Sequence, residues 1–202
     1  MIADLDETIR QLLIEKVPLD PDAIEIMFER PNSEWESRLG TKPTINCFLH
    51  DIRENLQLRY DQQQTVTRDS DGRKGTIRRM PARVDFKYLI TVWAAETLDE
   101  HQILGRILQA LLRFQILPPE ILQGELTQQS LPVRAWVAQP EDIPQVWEFW
   151  GANEWRLKAS LSYRVTLTIE HTPPVDVDLV RETQTRFTLK QETGAAETED
   201  AL

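Results

Sequence analysis

Residues 84–113 read VDFKYLITVWAAETLDEHQILGRILQALLR and contain both apolar periods of a folded protein, one directly after the other. Val84, Phe86, Tyr88, Ile90, Val92 and Ala94 recur at every second position, which predicts a strand. Thr97 and Glu100 then have the spacing of a capping box, and Ile103, Leu104, Ile107, Leu108, Leu111 and Leu112 keep helical period to about Phe114. A strand running straight into the central core helix makes this an α+β chain. The second strand face mixes Asp85, Lys87 and Thr91 with Leu89 and Trp93, so the sheet is expected to be partly covered on both sides, with its polar end in solvent.

Working outward toward the N-terminus, the stretch 25–55, EIMFERPNSEWESRLGTKPTINCFLHDIREN, holds two half-buried strands. Ile24, Ile26 and Phe28 share a face in the first, and Ile45, Cys47 and Leu49 share one in the second. The roughly dozen residues between them exceed what a hairpin turn needs. In that connection Glu29, Arg30, Glu34, Glu36 and Arg38 surround Trp35. Two readings stand for the indole: it tucks onto its own core, or it meets a neighbouring subunit, since Trp and Arg are enriched at interfaces. Before these strands an amphipathic helix is expected over Ala3–Glu15, ended by Pro18 and Pro21. After them the polar run YDQQQTVTRDSDGRKGTIRRMPAR reads as mobile, or as a long hairpin arm.

Toward the C-terminus, Pro118 and Pro119 open a short helical piece ending near Gly124, and Val133, Ala135 and Val137 mark a brief strand. A connector rich in tryptophan follows, with Trp147, Trp150 and Trp155. It reads either as a short helix packing its indoles on the core or as an external docking patch. The last regular strand places Leu161, Tyr163, Val165, Leu167 and Ile169 on one face, and Ser160, Ser162, Arg164, Thr166, Thr168 and Glu170 on a face that meets water or a polar partner. Pro173 and Pro174 end the compact region. We therefore expect one domain over 1–172, then an extended arm and a flexible acidic tail over 173–202.

The chain has 202 residues and a formal net charge of -10, which argues against general nucleic-acid binding. The charge is divided. Thr65–Arg83 carries Arg68, Arg73, Lys74, Arg78, Arg79 and Arg83 against Asp69 and Asp71, whereas Gln191–Leu202 carries four acids and no base. Such a division suits head-to-tail association of identical subunits, and equally a solvated loop and tail. No apolar run is long enough to span a membrane, and the N-terminus lacks a signal-peptide pattern, so a cytosolic protein without membrane insertion is expected. The single cysteine, Cys47, lies on an apolar strand face and reads as a buried thiol.

No constellation for catalysis stands out. His50, His101 and His171 each have an acidic neighbour in sequence, but adjacent strand residues face opposite ways. DGRKGT at 71–76 lacks the phosphate-loop spacing, and no metal or nucleophile motif is present. An enzyme, a cofactor and a metal are therefore not expected.

Six blocks occur in order: DLDETIRQLL, FERPNSEWESRL with KPTINCFLHDIREN, YLITVWAAETLDEHQILGRILQALLR, and WR with LSYRVTL. Together, over about Met1–Ile169, the sequence resembles the cap, or tail-terminator, family of phage-tail-like contractile injection systems. The resemblance implies a tail-terminator-like α+β fold, with a mixed and mainly antiparallel sheet flanked by helices. It also implies a homohexameric ring that closes the end of an inner tube and its sheath, with tube and sheath proteins as partners, in a particle that is released or held at a membrane. Sheath subunits of such machines exchange strands, which makes the arm Pro174–Leu189 a candidate for exchange. Interface candidates are Arg30, Glu34, Trp35, Arg38, Arg68, Arg73, Lys74, Arg78, Arg79, Arg83, Trp147 and Trp150. A soluble adaptor acting through its Trp-rich loop is the alternative.

Overall fold

In the computed structural model, which describes residues 1–58, 64–68, 74–140, 158–170, 172–178 and 185, helix α1 spans Ile2–Lys16. Strand β1 (Glu25–Met27), short helix α2 (Ser33–Ser37) and strand β2 (Thr44–Glu54) follow. Next come β3 (Gln64–Arg68), β4 (Lys74–Arg79), β5 (Ala82–Trp93) and helix α3 (Thr97–Arg113). Two 3-10 turns, Pro119–Ile121 and Gly124–Gln128, lead to β6 (Arg134–Val137), β7 (Ser160–Ile169) and β8 (Val175–Asp178). The described residues fall into two compact units, one within Met1–Gln63 and Met80–Thr172, the other within Gln64–Arg79 and Pro173–Leu202.

The larger unit is built on a five-stranded sheet in the order β1-β2-β5-β7-β6. β5, the strand with the clearest alternation, lies at its centre, antiparallel to β2 on one side and β7 on the other. β1 instead runs parallel to β2, with Ile26 opposite Ile45. A parallel neighbour cannot be reached by a hairpin, which is why the Trp35 connection is long: it is a crossover containing α2.

One face of the sheet presents Ile45, Cys47, Phe86, Tyr88, Ile90, Val92, Tyr163, Val165 and Leu167 to a single apolar core. α1 covers it with Leu5, Ile9, Leu12 and Leu13, and α3 with Ile103, Ile107, Ala110 and Leu111. This is an α+β fold with an antiparallel-dominated mixed sheet flanked by helices, as the sequence led us to expect. β2 carries one irregularity, where the pairing skips from Leu49–Tyr88 to Asp51–Lys87 and leaves His50 as the extra residue. The bulge turns Asp51 toward Lys87, whose Nζ lies 3.7 Å from the carboxylate.

Two expectations are corrected. Thr97 does not cap α3: Glu96 holds the N-cap position without a side-chain bond, and Thr97 is the first helical residue. The Glu100 carboxylate instead accepts from the Ala94 amide at 3.1 Å and pairs with Lys158. Those two donors at the end of β5 hold it away from the helix start. The second correction concerns the polar sheet face, where Ser162, Thr166 and Thr168 are buried rather than wet and Asp85 is only 6% exposed. Asp85 can be buried as a polar residue because it is saturated with donors. It accepts from Asn55 Nδ2 at 3.1 and 3.0 Å and from Thr166 Oγ1 at 2.5 Å.

In the smaller unit, the polar run that the sequence marks as a mobile segment or a hairpin arm contains the β3–β4 hairpin, paired from Gln64–Arg79 to Arg68–Gly75. β8 adds to its other side, with Val175 opposite Ile77 and Asp178 opposite Lys74.

Candidate functional site

The charged crossover between β1 and β2 is held from within. Asn46, fully buried in β2, donates its Nδ2 to the Glu29 carbonyl at 3.0 Å and accepts from the Glu29 amide at 3.1 Å. This two-point clamp fixes the chain where it leaves β1. Asn32 then caps α2, its Oδ1 accepting from the Trp35 amide at 2.7 Å. The Trp35 side chain points inward: it is 2% exposed and meets Trp93 edge-on, with ring centroids 5.3 Å apart. Lys158 Nζ stands 4.5 Å over the same Trp93 ring while pairing with Glu100. The outcome is a braced loop that displays Arg30, Glu34, Glu36 and Arg38 on its exposed side. Arg38 is also tied to Glu29 at 3.0 Å.

The predicted site residues are thus distributed over separate places. Arg30, Glu34 and Arg38 are together on the exposed side of the crossover, and Trp35 takes the inward of its two readings. Arg83 lies in β5 and is 7% exposed, so it belongs to the interior of the larger unit rather than to an exposed basic arm. Its carbonyl accepts from the Asn55 amide at 2.7 Å. Arg68, Lys74, Arg78 and Arg79 are brought together on the smaller sheet and are exposed. β8 brings Asp176 and Asp178 to the same sheet, and Thr76 donates to Asp176 at 2.9 Å. Arg73, Trp147 and Trp150 lie outside the described residues.

The reactive groups of the larger unit serve its packing. Tyr88 donates its hydroxyl to Asp6 at 2.7 Å, joining α1 to β5. Burial raises the Asp6 carboxyl above its usual range, opposed by the Tyr88 bond and by Arg10. Burial pushes the Cys47 thiol up, far from a reactive thiolate, and draws His50 down. Among the described residues, no group of three His, Cys, Asp or Glu side chains is arranged to hold a metal, and no helix is long and apolar enough to cross a membrane. A pit of about 20 Å³ beside α1, lined by Leu13, Leu19, Ile24 and Ile26, has room for roughly one water.

Both edges of the five-stranded sheet are blunted by the chain itself. At β1, only three residues long, Arg10 donates to the Ile26 carbonyl at 2.6 Å. At β6, Leu117 donates to the Val133 carbonyl at 2.9 Å and Ala135 to the Gln115 carbonyl at 2.8 Å. The residues that organise these surfaces, Asn46, Asn32 and Arg10, were not singled out from sequence. Asn32 was the legible one, standing before a short polar helix in cap position. Nothing in the sequence marks Asn46 or Arg10 as partners of Glu29 and Ile26.

The described residues thus make an α+β subunit with a braced, charged crossover and with the edges of its larger sheet partly covered by its own chain. The family model for the Pvc16 N-terminal domain matches residues 4–182, and the chain belongs to that family. No curated protein matches the sequence. Among solved structures, the fold is similar to the PVC sheath/tube terminator of an extracellular contractile injection system in the extended state, with a TM-score of 0.63 and 23% identity over 97% of this chain. It is also similar to the tube-terminating cap of the anti-feeding prophage, with a TM-score of 0.65 and 22% identity over 93% of this chain. The match spans 65% and 62% of those two chains, less than two thirds of each.

Proposed function

We propose that this protein is a structural cap subunit that closes the end of the inner tube and sheath of a phage-tail-like contractile injection system, without catalysing a reaction. The observation that carries the reading is the fold shared with a sheath/tube terminator and a tube-terminating cap, in a chain that belongs to the Pvc16 N-terminal-domain family. In this reading six copies close into a ring, residues 1–172 supply the ring-forming domain, and 173–202 supply the arm. The partners are further copies of the chain and the tube and sheath subunits. The protein is made in the cytosol and ends in the assembled particle.

The physical design suits a terminator. A subunit that ends a polymer must bind the last layer without offering the next one a surface to continue on. The blunted edges at Ile26 and at Val133–Ala135 remove main-chain pairing on the large sheet as a route to open-ended growth. Association then falls to side-chain surfaces: the Arg30–Arg38 crossover and the basic hairpin. The alternative, a soluble adaptor acting through its Trp-rich loop, falls on residues outside the described ones, while the Trp35 indole is used internally.

The test is the mass and symmetry of the purified protein, by light scattering and negative-stain imaging, alone and mixed with tube and sheath subunits. Six-membered rings, or ring-shaped density only at tube ends, are expected. A stable monomer that never joins the tube would refute the proposal.

A further inference from the structure

The smaller sheet is amphipathic. Val66, Ile77 and Val175 stand directly opposite one another across β3, β4 and β8, forming one row. Val177 continues the same face one step along, opposite Gly75. The other face is polar, with Thr67, Thr76 and Asp176 in register and Lys74 opposite Asp178. Water would be the natural neighbour of the polar face only. Yet Val66 is 50% and Val175 53% exposed. A three-stranded sheet ordinarily needs its apolar face packed against something to be stable on its own.

We propose that this Val66–Ile77–Val175–Val177 face docks on the acidic body of a second copy of the chain. The inference deepens the cap reading and rests on it, by naming the surface through which neighbouring subunits meet. Charge selects the occupant. The three strands of the sheet, 64–68, 74–79 and 175–178, carry four basic and two acidic residues, a net of +2, whereas 1–63 and 80–172 together have 15 basic and 24 acidic residues, a net of -9. Arg79 lies two residues along from Ile77 and Arg68 two along from Val66, so the apolar row has an arginine on each side of it. Both are exposed, and neither pairs with a carboxylate among the described residues. An apolar row between two cations fits an acidic surface, and every copy supplies one. Because each subunit then gives a sheet and receives another on a different surface, the contact is heterologous, the kind that closes into a ring.

The experiment measures self-association by sedimentation velocity and tube-end occupancy by electron microscopy, for wild type and for the double variant Val66→Thr/Val175→Thr. Threonine keeps the β-branched shape, so the strands should persist, as circular dichroism would verify. The double variant is expected to weaken self-association by about tenfold or more. Arg79→Gln, which leaves the apolar row untouched, is expected to weaken it about threefold at low salt, with the difference vanishing near 0.5 M NaCl. Thr67→Ala, on the opposite face of β3, should associate like wild type. The proposal is overturned if both test variants associate within about twofold of wild type, if Thr67→Ala loses as much as the double variant, or if wild type never self-associates, free or at tube ends. Failure of the cap reading shows separately: a wild type that associates through this face but never occupies tube ends removes that reading and leaves the docking face standing.

Discussion

Replacing Trp35 by alanine separates the inward reading of this residue from an interfacial one. The indole is buried beneath α2 against Trp93, at a centroid separation of 5.3 Å. Burial of about 150–250 Å² at about 25 cal/mol per Å² is worth roughly 4–6 kcal/mol, and deletions of buried Trp cost about 3–5 kcal/mol. Two features pull the expected loss to the lower end. The indole Nε1 finds no hydrogen-bond acceptor among the described residues, so the native state already bears an unmet donor of roughly 1–3 kcal/mol. α2 is also only five residues long and can settle into part of the space.

We therefore expect Trp35→Ala to cost about 3 kcal/mol, which for a chain of this size lowers the melting temperature by about 6–12 °C. Urea and thermal denaturation of the isolated subunit measure it. A double-mutant cycle with Trp93→Ala should return a coupling of about 0.5–1.5 kcal/mol for the edge-on ring pair. If Trp35→Ala leaves the subunit as stable as wild type but abolishes its association with tube or neighbours, the indole works at an interface and the packing argument is wrong.

Gly124 sits at φ +53°, and a Cβ there would overlap the Asp4 carboxylate, which pairs with the Met1 amine at 2.8 Å. Gly124→Ala should lower stability by about 1–2 kcal/mol in thermal melts, and an unchanged melt would refute the strain. Thr166→Val removes one of the donors to buried Asp85 and should cost about 1.5–3 kcal/mol in urea, with Thr166→Ser close to wild type. Burial raises Asp6 in the folded state, so its protonated form contributes stability that is present below the ordinary carboxyl range and is lost as pH rises through the folded value. Asp6→Asn should accordingly flatten stability against pH over that window, and parallel wild-type and variant curves would count against the assignment. Replacing Arg73, Lys74, Arg78 and Arg79 by Glu should weaken ring or tube association while leaving the melting temperature of the subunit within a few degrees, and normal assembly would remove the basic hairpin from the mechanism.

Much of the larger unit was legible in the chain because apolar period is local information. Alternation over Val84–Val92 and Leu161–Ile169, and helical spacing over 3–15 and 97–114, identify each element and the face it buries without reference to any other element. The family resemblance is of the same kind, carried by contiguous blocks. Which strands become neighbours is not encoded in period. The parallel pairing of β1 with β2, the central place of β5 and the addition of β8 to the hairpin all join segments far apart in the chain.

The same distance explains the two misplaced expectations. Thr166 and Ser162 look solvent-facing by their chemistry, but Thr166 meets Asp85 across 81 positions, and that bond is what permits both to be buried. The Thr97–Glu100 spacing looks like a cap, yet Lys158, 58 positions away, captures the carboxylate. Trp35 was left open for a similar reason: an indole among charges suits an interface or a core equally, and only the position of Trp93 decides. Composition and spacing thus determined the class of fold and the absence of any familiar catalytic pattern. The tertiary structure alone decided which charged and apolar side chains are presented outward, because exposure depends on partners that no local window contains.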